Sequence, residues 1–259
     1  MKLSGIVTCV NYDDYLTWTL PHNIEHFDEF IVVTDKEDTA TQAVARKYGA
    51  TCVIRSSQEP FDANGTKGMA INEGLASMHS PEWVLHLDAD IILGKDFRID
   101  LEKGALDKDA LYWVSRKQPA YESQLSVFLR NKITIHDWEG VLPPGSPKRW
   151  SGPFGYFQLF NLKSRYLEKF ESVYPEMSAS QEWLGLTNKG LNFDWKANRH
   201  LTSDCTDGIF NRRWPKEAKL QLDDKFTVLH LPHGPSRTNW SGRKSARFIF
   251  PDSPPGFFQ

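Results

Sequence analysis

The sequence predicts an α/β fold, a single domain of 259 residues (1–259) on a mostly parallel central sheet. Three observations carry this. Short apolar, β-branched runs recur through the first half of the chain. Segments with apolar residues at helical spacing lie between them, the signature of βαβ units. The composition, 40% hydrophobic and 13% aromatic, supplies apolar mass for one sizeable core and excludes disorder, collagen-like repeats and a membrane-embedded body.

The elements follow in order. Ser4–Val10 reads as the first strand and Tyr15–Ile24 as a helix. Phe30–Thr34 is the second strand. Thr39–Tyr48 carries Ala40, Ala43, Val44 and Tyr48 near helical spacing and stops at Gly49, a C-cap residue. Thr51–Arg55 is the third strand, Lys67–Met78 a helix and Trp83–Leu87 the fourth strand. The second half is less regular. Leu111–Ser115, Tyr156–Leu162 and Phe226–Leu231 read as strands, and Ser164–Glu171 and Ser180–Asn188 as helices. Pro143–Pro153 is a loop of chain breakers and Pro251–Gln259 an extended tail. The domain thus divides into a regular half, 1–115, and an irregular half, 116–259.

Charge and cysteine usage narrow the function classes. Lys+Arg 31 against Asp+Glu 33 gives a net charge of −2, which argues against a protein that coats nucleic acid. Cys9, Cys52 and Cys205 are widely spaced and odd in number, so neither a disulfide frame nor a zinc knuckle is expected. No run reaches the roughly 18 apolar residues of a spanning helix, and the first residues read as a strand rather than a signal peptide. A cytoplasmic location and no transmembrane segment are the expectation.

The chemistry concentrates where the fourth strand runs out into Asp88-Ala89-Asp90. Ligands of open α/β sheets gather outside the carboxyl ends of strands. Residues two apart on an extended chain point the same way, so Asp88 and Asp90 can share one divalent ion, which removes their mutual repulsion. An EF-hand loop fails because Leu93 stands where its glycine belongs. A haloacid-dehalogenase-type phosphatase would carry its Asp-x-Asp on an early strand, usually followed by Thr or Val where Ile92 stands. Two solvated acids at a strand exit, or a metal–diphosphate site, remain.

An ordered set of segments extends this. Thr8-Cys9-Val10-Asn11-Tyr12 follows the first strand, Val33-Thr34-Asp35 the second, and Asn64-Gly65-Thr66-Lys67-Gly68 opens the helix that precedes Asp88-Ala89-Asp90. In order and spacing the chain resembles a nucleotide-sugar-dependent glycosyltransferase of the GT-A fold, family-2-like. The resemblance implies that Val10, Asn11, Tyr12 and Asp35 border the base and ribose of a nucleoside-diphosphate sugar, a UDP-sugar first. Lys67 would lie near ribose or phosphate, Asp88 would bind ribose or metal, and Asp90 would be the most direct ligand of Mn2+ or Mg2+. Tyr12 and Asp35 are equally readable as turn or cap residues, and Lys67 as a solvated helix-start lysine.

The second half supplies further candidates. Trp150–Tyr156 resembles the family's Gly-rich acceptor loop, and Glu182 matches its acidic helix start. An inverting transferase needs a carboxylate to take the acceptor hydroxyl's proton, so Glu182 is the expected base, although Gln181 and Trp183 flank it instead of the common Glu-Asp pair. Asp194 and Asp204 are the alternatives. The resemblance implies that a late histidine, His230 and then His233, completes the metal shell, where neutral imidazole suits Mn2+ beside carboxylates; on an apolar strand His230 is equally readable as a satisfied core residue. Arg243, within the acid-free basic stretch Arg237–Arg247, would contact the donor diphosphate. Nine tryptophans, six of them between Trp138 and Trp240, suit either core packing or an aromatic acceptor groove. The acceptor is a glycan, a protein or a modified nucleic-acid base. Lys148-Arg149, Arg212-Arg213 and Arg237–Arg247 would suit the last. A nucleotidyltransferase is disfavoured because Val10-Asn11-Tyr12-Asp13-Asp14 replaces a Gly-rich basic loop. An inactive sugar-nucleotide-binding module is the non-enzyme alternative.

Overall fold

The computed structural model describes residues 1–56, 66–118, 125, 135, 155–174 and 203–231. Its first strand, β1 (Leu3–Thr8), is buried on both faces, which is why it reads as a nearly continuous apolar run. β2 (Glu29–Thr34), β3 (Thr51–Ile54) and β4 (Trp83–Leu87) lie parallel to it in the order β3-β2-β1-β4. Between them run α1 (Asp13–Asn23), α2 (Thr39–Lys47) and α3 (Thr66–Ala76). The predicted βαβ alternation is present, with ends shifted by one to two residues at most elements.

Beyond β4 the chain forms β5 (Ile91–Ile92), α4 (Phe97–Lys103), β6 (Leu111–Trp113) and β7 (Arg116–Lys117). It returns as β8 (Phe157–Asn161), α5 (Ser203–Arg212), β9 (Lys219–Gln221) and β10 (Val228–His230). β8 inserts antiparallel between β4 and β6, and β9 pairs parallel to β6, which gives a seven-stranded sheet ordered β3-β2-β1-β4-β8-β6-β9. A second sheet, β5-β10-β7, sits beside its carboxyl end.

The period-two alternation of the strands divides the core. Ile6, Ile31, Val33, Phe160, Phe210 and Trp214 pack with Ile71 on the face covered by α3 and α5. Val7, Val32, Leu16, Leu20 and Ala45 fill the opposite face under α1 and α2, and Leu85, Leu87, Phe97, Phe157 and Val228 continue it. Gly74 brings α3 close to the sheet, since a Cβ there would lie 2.5 Å from Ile6 Cδ1.

One expectation is corrected. Ser164–Glu171 is no helix but a chain of turns, with Leu167 N bonding Ser164 O and Phe170 N bonding Leu167 O. The Ser164 hydroxyl accepts Tyr166 N and Asp109 accepts Arg165 N, and the turns that follow close from i to i+3 without running on into an α-helical ladder. Of the two readings of the tryptophans, core packing holds for Trp214, which is 1% exposed. The predicted helix Ser180–Asn188, the loop 143–153 and the tail lie outside the described residues.

Candidate active site

The chain builds β1, β2 and β3 outward in one direction and then places β4 on the other side of β1. Loops leaving β1 and β4 therefore diverge, and such a reversal opens a crevice at the carboxyl ends of the strands. Val10–Tyr12, Asp35 and Asp88–Asp90 all follow strands that end there.

Each loop is fixed locally. Asn11 takes a left-handed conformation, φ 60°, which Asn tolerates better than most residues. Asp38, the N-cap of α2, holds it there: its carboxylate accepts Asn11 N at 2.7 Å, Thr34 Oγ1 at 3.1 Å and Thr41 N at 3.1 Å. Asp35 makes a two-pronged ion pair with Arg55, whose side chain is almost wholly buried. The predicted donor residues Val10, Asn11, Tyr12 and Asp35 thus share one rim, with Asp35 already engaged by a cation.

The Asp88–Asp90 segment is not extended. β4 ends at Leu87, Ile91 N bonds Asp88 O at 3.3 Å, and the chain turns through Ala89 and Asp90 into β5. The two carboxylates face different partners. Asp88 accepts from Lys67 Nζ at 3.2 Å. Asp90 Oδ2 faces His230 Nε2 at 3.7 Å, both side chains at least nine-tenths buried. His230 Nδ1 donates to Leu231 O at 3.0 Å, so in the neutral imidazole Nε2 presents its lone pair toward Asp90. With the imidazole neutral the two groups form a donor set for Mn2+; with it protonated they form a buried ion pair. Among the described residues no three His, Cys, Asp or Glu side chains converge as a metal site.

Lys67 is not the solvated helix-start lysine of the sequence reading. It is 7% exposed, and its ammonium bridges Asp88 and Asp207, the latter at 2.8 Å. Burial alone would lower its pKa, but the two carboxylates outweigh burial and hold it above its ordinary value. Burial raises both Asp88 and Asp207, with Lys67 opposing. Asp207 Oδ1 is buried with no hydrogen-bond partner among the described residues. Gly155 packs onto this carboxylate, where any Cβ would collide with it, and the next residue, Tyr156, accepts Asp88 N through its carbonyl at 3.4 Å. The described end of the Gly-rich loop therefore touches both acids. Beneath lies His86, wholly buried, with Nδ1 3.3 Å from Gln158 Oε1; burial pushes it down to about 3. Tyr174 also donates to Gln158, at 2.8 Å.

Sequence reasoning missed Asp207, although Thr206, Phe210 and Trp214 recur at helical spacing around it. Glu182, Asp194, His233 and Arg243 lie outside the described residues, as does the side chain of Asp204. Arg213 is not available to a nucleic acid: it is 5% exposed, donates to Ser172 O at 2.7 Å and to Val173 O, and covers the Phe170 ring. No described helix is long and apolar enough to cross a membrane.

No family model and no curated protein matches the chain. Among solved structures it is similar to a mannosyltransferase from Pyrobaculum calidifontis in complex with GDP-Man and Mn2+, with 16% identity, a TM-score of 0.51, and 91% of this chain and 58% of that one covered. The chain has the GT-A fold. A looser likeness, TM-score 0.38 at 19% identity, joins 62% of this GT-A chain to 56% of glucosyl-3-phosphoglycerate synthase from Mycobacterium tuberculosis in complex with UDP. The chain spans little more than half the length of either.

Proposed function

We propose that the protein is a metal-dependent glycosyltransferase that moves a sugar from a nucleoside-diphosphate donor to an acceptor hydroxyl with inversion. The observation that carries this reading is the Asp90–His230 pair, a carboxylate and an imidazole nitrogen 3.7 Å apart at the carboxyl end of β4 in a GT-A fold. The P. calidifontis structure, with its GDP-Man and Mn2+, supports the donor class by analogy of fold.

Asp90 and His230 would hold the divalent ion, Mn2+ or Mg2+, with Asp88 and His233 as further candidates. A bound ion supplies Lewis-acid stabilisation of the charge that builds on the departing nucleoside diphosphate. The chain's own residues do the rest. The Val10–Tyr12 turn and Asp35 border the nucleoside. Lys67, held charged by Asp88 and Asp207, keeps a fixed positive end beside the donor. Arg243 contacts the diphosphate. Glu182 takes the proton of the acceptor hydroxyl as that oxygen attacks the anomeric carbon and the bond to the diphosphate breaks.

Release of nucleoside diphosphate from UDP- and GDP-sugars, with glycan, protein and DNA acceptors offered in turn, tests this. Glu182→Gln is expected to lower turnover by at least about 100-fold with donor KM little changed. Unchanged turnover moves the base to Asp194 or Asp204. No release by the wild type from any donor contradicts the transferase reading.

A further inference from the structure

We propose that Thr19 and Asn23, two buried polar residues of α1, are positioning residues that set the Asp88-Ala89-Asp90 turn and with it the spacing of Asp90 and His230. The inference rests on the metal site proposed above and adds residues to it that contact neither ligand nor metal.

Both side chains are nearly sealed from solvent, 1% exposed for Thr19 and 3% for Asn23. A hydroxyl and an amide so buried need complete partners, and these partners lie some seventy residues further along the chain. Thr19 Oγ1 donates to Ala89 O at 2.7 Å, the carbonyl between the two acids. Asn23 Nδ2 donates to Ile91 O at 2.7 Å, and Asn23 Oδ1 accepts Leu93 N at 2.9 Å. β5 is an edge strand, paired on its other side with β10. The Asn23 amide therefore closes the free edge of β5 as a neighbouring peptide group would, at two positions of the same edge.

The consequence runs straight to the site. Ile91 pairs with His230 in register, and Leu231 N bonds Asp90 O at 2.8 Å. Asp90 and His230 thus belong to one short ladder. With only two residues in β5 and three in β10, the ladder has few bonds of its own. Three bonds from α1 to Ala89, Ile91 and Leu93 pin that ladder on both sides of Asp90. An apolar helix face would pack as well but would leave two buried backbone groups, Ile91 O and Leu93 N, and the part-buried Ala89 O without these partners.

Thr19→Val keeps shape and removes the hydroxyl; Thr19→Ser keeps the hydroxyl. Manganese affinity is read from the electron paramagnetic resonance of free Mn2+ in the presence of UDP, and separately of GDP. Thermal unfolding without metal, and a buried variant on the other face of the main sheet, Ile31→Val, serve as references. The expected result is at least a 10-fold weaker Mn2+ affinity for Thr19→Val, wild-type affinity within about threefold for Thr19→Ser, and no loss for Ile31→Val at a comparable drop in melting temperature. Wild-type Mn2+ affinity in Thr19→Val, or equal losses in Thr19→Val and Ile31→Val, overturns the inference. If Thr19→Val does not fold, Asn23→Asp, which keeps the acceptor for Leu93 N and removes the donor to Ile91 O, is read in the same way. Wild-type binding that Asp90→Asn abolishes and Thr19→Val leaves intact overturns this inference alone. No Mn2+ binding by the wild type with either nucleotide overturns the metal reading and this inference together.

Discussion

The sequence places Lys67 at a helix start but does not show the acid that keeps it charged inside the protein, Asp207, 140 positions later. An isolated buried ammonium would lose its proton; flanked by two carboxylates it keeps it. The reverse holds for His26, 4% exposed and edge-on to Phe97, where burial pushes the imidazole down to about 4. Its unfolded value is near 6.5, so as pH falls below that the unfolded chain takes up a proton that the folded chain refuses. Stability contributed by the neutral ring is complete above pH 6.5 and is lost as pH falls toward 4. Between pH 6.5 and 5 the wild type should therefore lose about 1–2 kcal/mol more than His26→Phe in urea unfolding. Equal losses would contradict the assignment. Asp88, Asp90 and His230 were legible because each stands where an apolar run stops or is interrupted by a polar residue. Their partners were not, since pairing depends on which loops the topology brings together.

At the scale of elements, the βαβ half was legible because its strands are apolar on both faces and its helices carry their own stop signals, such as Gly49. Ser164–Glu171 shows the limit. Its composition permits a helix, yet the chain closes only separate turns there, and Arg165 N is held by Asp109 from another loop. Asp38 shows one residue serving two elements at once, capping α2 and fixing the Asn11 turn. Asp38→Ala should cost about 2 kcal/mol in urea unfolding, about half from the lost cap and half from the unpartnered Asn11 and Thr34 donors. A loss below about 0.5 kcal/mol would mean that water replaces these bonds and that the turn is not held by Asp38.

For the whole molecule, strand order turns scattered sequence signals into one site. Reversing direction between β1 and β4 puts the Asn11 turn and Asp88 side by side, and inserting β8 antiparallel next to β4 brings Gly155 against Asp207. The parallel part of that order follows from alternation along the chain. The antiparallel insertion does not, because it depends on contacts between strands some seventy residues apart. The basic character that suggested a nucleic-acid acceptor weakens at this scale, since Arg213 is spent inside the fold. A donor site that binds a nucleoside diphosphate through a metal held by Asp90 is checked by the thermal unfolding of the wild type and Asp90→Ala with UDP and with GDP, each with and without Mn2+. A Mn2+-dependent stabilisation of about 2.7 kcal/mol at 100 times the Kd with at least one nucleotide, absent in Asp90→Ala, is the predicted result. A shift that Asp90→Ala retains, or no shift with either nucleotide, would contradict it.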